Sequence, residues 1–424
     1  MQVRLSFGRG TLAVNLPSGF EYTVLECPPT PALPDAIAAI EAALDRPTAG
    51  PSVAELAAGK SSAAISVCDI TRPAPNKVTL PPLLRRLEGA GVPRENTRIL
   101  IATGLHRPAT DAEIRHIVGE EIAATYPVLN HDARNVSQHR HLGMTNSGTP
   151  VWIDERFMNA DLHLTLGFIE PHLMLGFSGG RKLVAPGLAG EATIKELHSS
   201  RFIRDARSHE GNVEGNPLHA ELLEIARMAR QDFILDVSLT RDRSISAVFT
   251  GEPEAAHKAG MEWVSSSLLQ HVGPPLDAAI TTGAGYPLDL TFYQSVKGIT
   301  AAAEIVRPAG RILLFGACEE GAGAAEFSQM MTRYSSHQDF LCAIEGAPVT
   351  IDQWQLEKLA LATRKAEVFY YVPGLPDPYM QSLWGPGFRD PDEAIGQFFA
   401  GLAPGSRVAV IPEGPYVLAN ANAV

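Results

Sequence analysis

The sequence predicts an α/β protein of two domains, each built on a mostly parallel sheet, facing each other across an active-site cleft. Three observations predict it. The chain has 424 residues, enough for two or three domains. Its first part repeats a short apolar run, a polar loop and a helical pattern, as parallel strands joined by crossover helices do. A second alternation of the same kind begins beyond a linker-like stretch, His271-Val-Gly-Pro-Pro275.

Residues 2–16 read as a β-hairpin turning at Gly8-Arg-Gly10. A helix is expected over Pro34–Leu44. Ala63–Cys68, Arg98–Ala102 and Leu162–Leu166 are apolar runs of strand length, and the patterns at Leu80–Gly89 and Asp111–Val118 are helical. Glu252–Leu269 reads as a helix leading into the linker. Beyond it come a strand at Ala278–Thr282, a helix at Tyr293–Val306, a strand at Arg311–Gly316, a long helical middle and a strand at Glu367–Val372. Arg407–Ile411 is strand-like. The expected domains are 1–270, carrying the reactive groups, and 276–404, closing the cleft, with 405–424 a segment able to return to the N-terminal domain.

Composition narrows the class of function. Hydrophobic residues make up 45% and charged residues 19%, the balance of an ordinary globular protein. The net charge of −12, from 35 basic and 47 acidic residues, argues against nucleic acid as a partner, because a phosphate backbone demands a basic face. No apolar run approaches the roughly 20 residues of a membrane span, and the N-terminus lacks the apolar stretch of a signal peptide. Cys27, Cys68, Cys318 and Cys342 form no Cys-x-x-Cys pair, so neither a disulfide framework nor a structural zinc site is expected. The expected compartment is the cytoplasm.

Each of the first three parallel strands runs into a loop rich in reactive side chains. These are Asp69-Ile-Thr-Arg-Pro73, Thr103-Gly-Leu-His106 and Gly167-Phe-Ile-Glu-Pro-His172. Ligands of open α/β sheets bind beyond the carboxyl ends of the strands, so the three loops are expected to form one site. His106 and His172, in equivalent positions, suit paired acid/base work. Arg72 can hold a carboxylate or phosphate with two parallel hydrogen bonds. A glycine-rich turn follows, Gly176-Phe-Ser-Gly-Gly-Arg-Lys182, then Ala185-Pro-Gly187 and His198. Its glycines let backbone N–H groups approach an anion, and a lysine at its end is either a phosphate partner or a nucleophile. A purely structural glycine turn is the alternative. The turn is not a Walker A loop, because Arg181 and Leu183 flank the lysine where glycine and Ser or Thr are required. The dinucleotide fingerprint is also missing: Gly283-Ala-Gly285 continues Tyr-Pro-Leu. His139 and His141, in a polar stretch, are expected to be exposed. Alone, His198 is a weak candidate for a metal ligand. Tyr293, Gln294 and Lys297 open a helix and can present donors to an anion, though a solvated helix start is equally consistent with them.

Taken together, Asp69-x-Thr-Arg-Pro73, Thr103-Gly-x-His106, Gly167-x-Ile-x-Pro-His172, Gly176-Phe-Ser-Gly-Gly-x-Lys182, Pro186-Gly187, His198 and Tyr293-Gln-x-x-Lys297 resemble the nickel-pincer-dependent lactate racemase family of 2-hydroxy acid racemases and epimerases. The resemblance spans roughly residues 60 to 300; the C-terminal third adds little. It implies a cofactor, pyridinium-3-thioamide-5-thiocarboxylic acid mononucleotide, whose two sulfur arms and ring carbon hold nickel. It further implies that Lys182 carries this cofactor covalently, that His198 supplies nickel's remaining ligand, and that His106 and His172 are acid/base groups on opposite sides of the substrate. Asp69, Thr71, Arg72, Ser178, Gly179 and Gly180 would line the cofactor. Arg72, Tyr293, Gln294 and Lys297 would hold the substrate. The partners it implies are a small 2-hydroxy acid and the separate proteins that make the cofactor. Two other readings stand beside it: a non-catalytic relative that binds the cofactor or a nucleotide, and a nicotinamide-dependent oxidoreductase, which the missing glycine fingerprint disfavours. For the pocket that selects the acid, Arg181, Tyr286 and Trp384 are the candidate walls.

Overall fold

The computed structural model describes residues 1–422. The chain forms two compact units, and they do not divide at the linker. The N-terminal unit comprises Pro29–Leu197 and Arg207–Ser267. The C-terminal unit comprises Met1–Pro28, His198–Ala206 and the chain from Leu268 onward.

The N-terminal unit is organised by a six-stranded sheet in the order Ile245–Gly251, Phe233–Leu239, Leu162–Phe168, Ala63–Cys68, Thr97–Ala102, Val128–Asn130. All neighbours are parallel except the first pair. Every residue of Ala63–Cys68 and of Leu162–Phe168 is buried, as expected of parallel strands covered on both faces. After Ala63–Cys68 the chain adds Thr97–Ala102 on one side, then returns to place Leu162–Phe168 on the other. The loops leaving Ala63–Cys68 and Leu162–Phe168 therefore diverge. This is the switch point at which open α/β sheets form their crevice.

Helices start where the sequence gives their first N–H groups an acceptor. Asp35 caps Ala36–Asp45, and Thr110 with Glu113 forms a reciprocal capping box on Asp111–Val118. The expected helices at 34–44, 80–89 and 111–118 are found as Ala36–Asp45, Asn76–Gly89 and Asp111–Val118. The strands Phe233–Leu239 and Ile245–Gly251 were not among the sequence expectations. The segment around His139 and His141, expected as a loop, is a strand, His139–Met144, paired antiparallel with Pro150–Asp154.

The C-terminal unit holds a second six-stranded sheet, all parallel, in the order Gly387–Phe388, Glu367–Tyr371, Val306–Phe315, Leu276–Thr282, Arg407–Ile411, Glu21–Val24. This pairing corrects the expected domain limits. Val3, Leu5, Val14 and Leu16 of the Gln2–Phe7/Gly10–Asn15 hairpin pack on Ala278, Ile280, Leu313 and Phe315, so the first residues belong here. The segment 405–424 stays in this unit too: Arg407–Ile411 lies inside the sheet, and Ala419–Asn420 pairs with Gln270–His271 within the expected linker. Residues 198–206 are held in the same unit by Arg204, which donates to Glu357 at 2.7 Å and to the Leu341 carbonyl at 2.8 Å. No described helix is long and apolar enough to cross a membrane.

Candidate active site

In the N-terminal unit the three post-strand loops and the glycine-rich turn are hydrogen-bonded into one assembly. Gly104 donates its N–H to the Gly187 carbonyl (3.1 Å), which ties the His106 loop to the loop after Lys182. Ser66 donates to the Leu183 carbonyl (2.8 Å). Ser178 bridges the turn to the Gly167–His172 loop: its N–H donates to Glu170 O, its hydroxyl donates to Phe168 O, and that hydroxyl accepts from Glu170 N–H. The charges of Arg72, Asp69, Asp236 and Lys182 all act on the buried Cys68 thiol, which burial pushes up to about 12. Cys68 is thus inert as a nucleophile.

The two histidines are set differently. Asp69 is buried at the end of its strand, whereas the His106 side chain is 53% exposed. His106 Nδ1 lies 2.8 Å from Asp69 Oδ2, and Thr71 Oγ1 donates to Oδ1 at 2.7 Å. Burial opposes the charge on Asp69, but His106, Thr71 and Arg72 outweigh it and hold the carboxyl below the usual range. An ionised Asp69 fixes the His106 tautomer with the proton on Nδ1, so Nε2 presents a lone pair outward. His172 has the opposite arrangement. Its Nδ1 faces the N–H groups of Met174 (3.3 Å) and Leu175 (3.4 Å) and accepts from them, which puts the proton on Nε2. It sits in a two-residue strand, Pro171–His172, paired with Gly176–Phe177. His106 thus presents a lone pair on Nε2, and His172 presents an N–H there.

Lys182 lies in the 3-10 turn Gly180–Leu183, and its N–H donates to Gly179 O at 3.0 Å. Gly179 (φ +81°) and Gly180 (φ +48°) have left-handed backbones, and a Cβ on either would collide with Asp236 or His257. Arg72 is exposed, with its guanidinium near the Thr71 carbonyl (3.4 Å).

In the C-terminal unit, the His198 ring lies against the Trp354 indole, 4.4 Å between centroids. Trp354 belongs to the Gln353–Lys365 helix. The neighbouring Gln355 donates to the Tyr293 carbonyl at 2.9 Å. Tyr293, Gln294 and Lys297 fall in the first turns of the Phe292–Ile305 helix, whose N-cap is Thr291. Lys297 lies three residues from Gln294 and four from Tyr293, so it neighbours both on the helix surface. The buried Gln294 Oε1 has no hydrogen-bond partner among the described residues, an acceptor left for a ligand to satisfy.

Among the described residues no group of three or more His, Cys, Asp or Glu converges to hold a metal. A metal held through one imidazole, with its other ligands supplied by a cofactor, needs no such group, and the unpartnered Gln294 Oε1 is an acceptor for a bound ligand.

Several expectations need correction. His139 is buried, edge-on to His131 at 5.1 Å, while His141 is exposed as expected. Arg181 is not a pocket wall: it is 2% exposed and donates to the Leu175 and Phe177 carbonyls. Trp384 is committed to packing on Phe340 and to the Tyr334 carbonyl. Tyr286 is exposed, with the Arg9 guanidinium 4.0 Å over its ring. His198 belongs to the C-terminal unit, and Lys182 to the N-terminal unit.

Residues 7–211 match the lactate racemase N-terminal domain family, and residues 273–419 match the lactate racemase C-terminal domain family. The chain belongs to the lactate racemase family. It is 36% identical over 379 residues to a lactate racemase of Lactiplantibacillus plantarum, covering 88% of this chain and 89% of that one. A lactate racemase of Thermoanaerobacterium thermosaccharolyticum is 34% identical over 382 residues, covering 89% of each. The solved structure of the lactate racemase apoprotein from Thermoanaerobacterium thermosaccharolyticum superposes with a TM-score of 0.92 at 31% identity, covering 99% of this chain and all of that one. A Thermotoga maritima protein shares the fold alone, with a TM-score of 0.65 at 17% identity. The chain is accordingly an isomerase, a racemase by family, and the oxidoreductase and non-catalytic readings fall away. The family match extends through the C-terminal third, where sequence motifs contributed little.

Proposed function

We propose that this racemase inverts C2 of a small 2-hydroxy acid, lactate being the first substrate to test, with His106 and His172 as the acid/base pair. The observation that carries the reading is the opposed setting of the two rings: Nδ1 of His106 faces the Asp69 carboxylate, and Nδ1 of His172 faces two backbone N–H groups.

The chemistry explains why two such rings are useful. The C2 hydrogen of a 2-hydroxy acid is poorly acidic beside an ionised carboxylate, so its removal as a proton is difficult. Removing it with its electron pair is easier when a base takes the hydroxyl proton in the same event. His106 Nε2 can take that proton for one enantiomer, with Asp69 stabilising the imidazolium formed. As the other enantiomer forms, His172 in its protonated state gives the oxygen a proton, and in the reverse direction neutral His172 takes that proton while His106 gives one. This role requires His172 Nδ1 to let go of the Met174 and Leu175 N–H groups. Arg72 and Lys297 are suited to hold the substrate carboxylate, and Gln294 to hydrogen-bond the acid.

The nickel-pincer nucleotide, when bound, would supply the hydride-accepting chemistry that this reading needs. In this reading Lys182 tethers the nucleotide, with Asp69, Thr71, Ser178, Gly179 and Gly180 beside it, and His198 is the ligand the protein gives to nickel. Separate proteins build the cofactor, so the protein must be tested after co-expression with them. Single-enantiomer lactate, malate, 2-hydroxyglutarate and a sugar acid should then be followed by chiral chromatography. The proposal expects at least one of them to racemise. If loaded enzyme leaves every acid at its starting configuration, the substrate class is wrong.

A further inference from the structure

The glycine-rich turn rests on a buried polar cluster that the reaction itself does not use. Asp236 lies on the Phe233–Leu239 strand directly opposite Gly167 in register. A Cβ at position 167 would come within 2.9 Å of Asp236 Oδ1, so glycine there lets the carboxylate reach under the turn. Asp236 is fully buried. Its Oδ2 accepts the Gly180 N–H at 2.6 Å, and the Gly167 N–H, opposite it in register, also acts on the carboxylate. From the Pro253–Leu268 helix, His257, 1% exposed, donates its Nε2 hydrogen to the Ser178 carbonyl at 2.7 Å. Its Nδ1 then accepts from the buried Arg181 guanidinium at 3.3 Å. Arg181 in turn donates to the Leu175 and Phe177 carbonyls. Ser178 O and Gly180 N–H, on either side of Gly179, are therefore each held by a buried side chain from another part of the sequence.

A core needs no such cluster. Burying polar groups costs stability, and a fully buried carboxylate costs more than most. Both of its neighbours on the turn are glycines whose missing Cβ atoms make room for it and for His257. The cost falls where backbone placement has most effect, two residues before Lys182.

We propose that Asp236 and His257 are positioning residues for Lys182: by fixing Gly180 N–H and Ser178 O they set the place from which the lysine amine meets the cofactor. This rests on the reading of Lys182 as the cofactor tether. It adds that the turn is organised before the cofactor arrives.

The test uses the full chain with Asp236→Asn, which keeps an acceptor for Gly180, and Asp236→Val, which removes it. In cofactor-free protein, deuterium uptake by the peptide covering residues 176–183 is followed by mass spectrometry. After co-expression with the cofactor-making proteins, the Lys182 adduct is measured by intact mass against Lys182→Ala. Asp236→Val should exchange faster at the turn and lose about 10-fold in adduct, the scale of one orphaned buried amide. Asp236→Asn should restore both. If Asp236→Val does not fold, His257→Gln, which keeps a donor, and His257→Leu, which does not, make the same comparison. Folded Val or Leu variants with wild-type exchange and full adduct overturn the proposal, as does an Asn or Gln variant no better than its apolar counterpart. If wild-type protein carries no adduct at Lys182, the tether reading fails, whereas the exchange data still judge the clamp on the turn.

Discussion

Asp69 Oδ2 lies 2.8 Å from His106 Nδ1, joining a buried carboxylate at the end of one strand to an exposed imidazole in the loop after the next. The pair spans 37 residues of sequence and two adjacent strands. Its chemical effect is on the far side of the ring, where Nε2 is left with a lone pair. Asp69→Asn should keep the fold and lower racemisation by up to about 10⁴-fold, the loss when the carboxylate that fixes an acid/base imidazole's tautomer becomes an amide. His106→Ala and His172→Ala should each cost about 10²–10⁴, the usual loss for a general base. Initial rates from each enantiomer, with adduct content measured in parallel, check this. Near-normal racemisation by any of the three variants contradicts the assigned roles.

His198 stands against Trp354 in the C-terminal unit, and it is the one imidazole assigned to nickel. His198→Ala should retain the Lys182 adduct and the fold but hold less nickel per adduct, because one of several bonds to the metal is lost. Elemental analysis of the purified variant against its adduct mass measures this. Full nickel content would move the ligand to another residue.

Asp236 provides a test through pH. Burial pushes its carboxyl up to about 7, with the Gly180 amide, the Arg181 charge and the Gly167 amide pulling the other way. The unfolded chain titrates this group near the ordinary value of 3.8. Between these two values the folded protein binds more protons than the unfolded chain, so this group's contribution to stability is full at low pH and is lost as pH rises through about 7. Asp236→Asn carries no such slope. Urea unfolding from pH 4.5 to 8 should therefore show the variant gaining on wild type as pH rises, then levelling above about 7. A stability difference independent of pH would mean Asp236 titrates normally.

The sequence made legible the alternation of strands and helices, the three loops at strand ends, and the residue types they carry. Position after a strand is a local property, and local patterning records it. What it did not record is which distant segments join which sheet. Glu21–Val24 completes the C-terminal sheet through contacts with Arg407–Ile411, nearly the whole chain away. No periodicity in the first residues announces that partner. Trp354 behind His198 was equally hidden, since a tryptophan on a helix reads as core until its neighbour is known. Asp236 was readable and missed. Phe-Ile-Leu-Asp-Val-Ser-Leu is an apolar strand with a carboxylate in the middle, and a charge in a buried strand signals a partner or a function. Arg181 misled for the converse reason: an arginine beside a reactive lysine looks like a site residue, yet its guanidinium points into the protein to hold carbonyls.

The central claim is that the C2 hydrogen leaves with its electrons and the same hydrogen returns, while the histidines move only the hydroxyl proton. Cofactor-loaded enzyme should be run on a single enantiomer of its substrate in D₂O, with deuterium at C2 of the inverted product read by mass spectrometry. The account predicts little or no deuterium at C2 over a single conversion. Full incorporation at each inversion would mean that C2 loses a proton to solvent-exchanging bases, and the mechanism proposed for this racemase would be wrong.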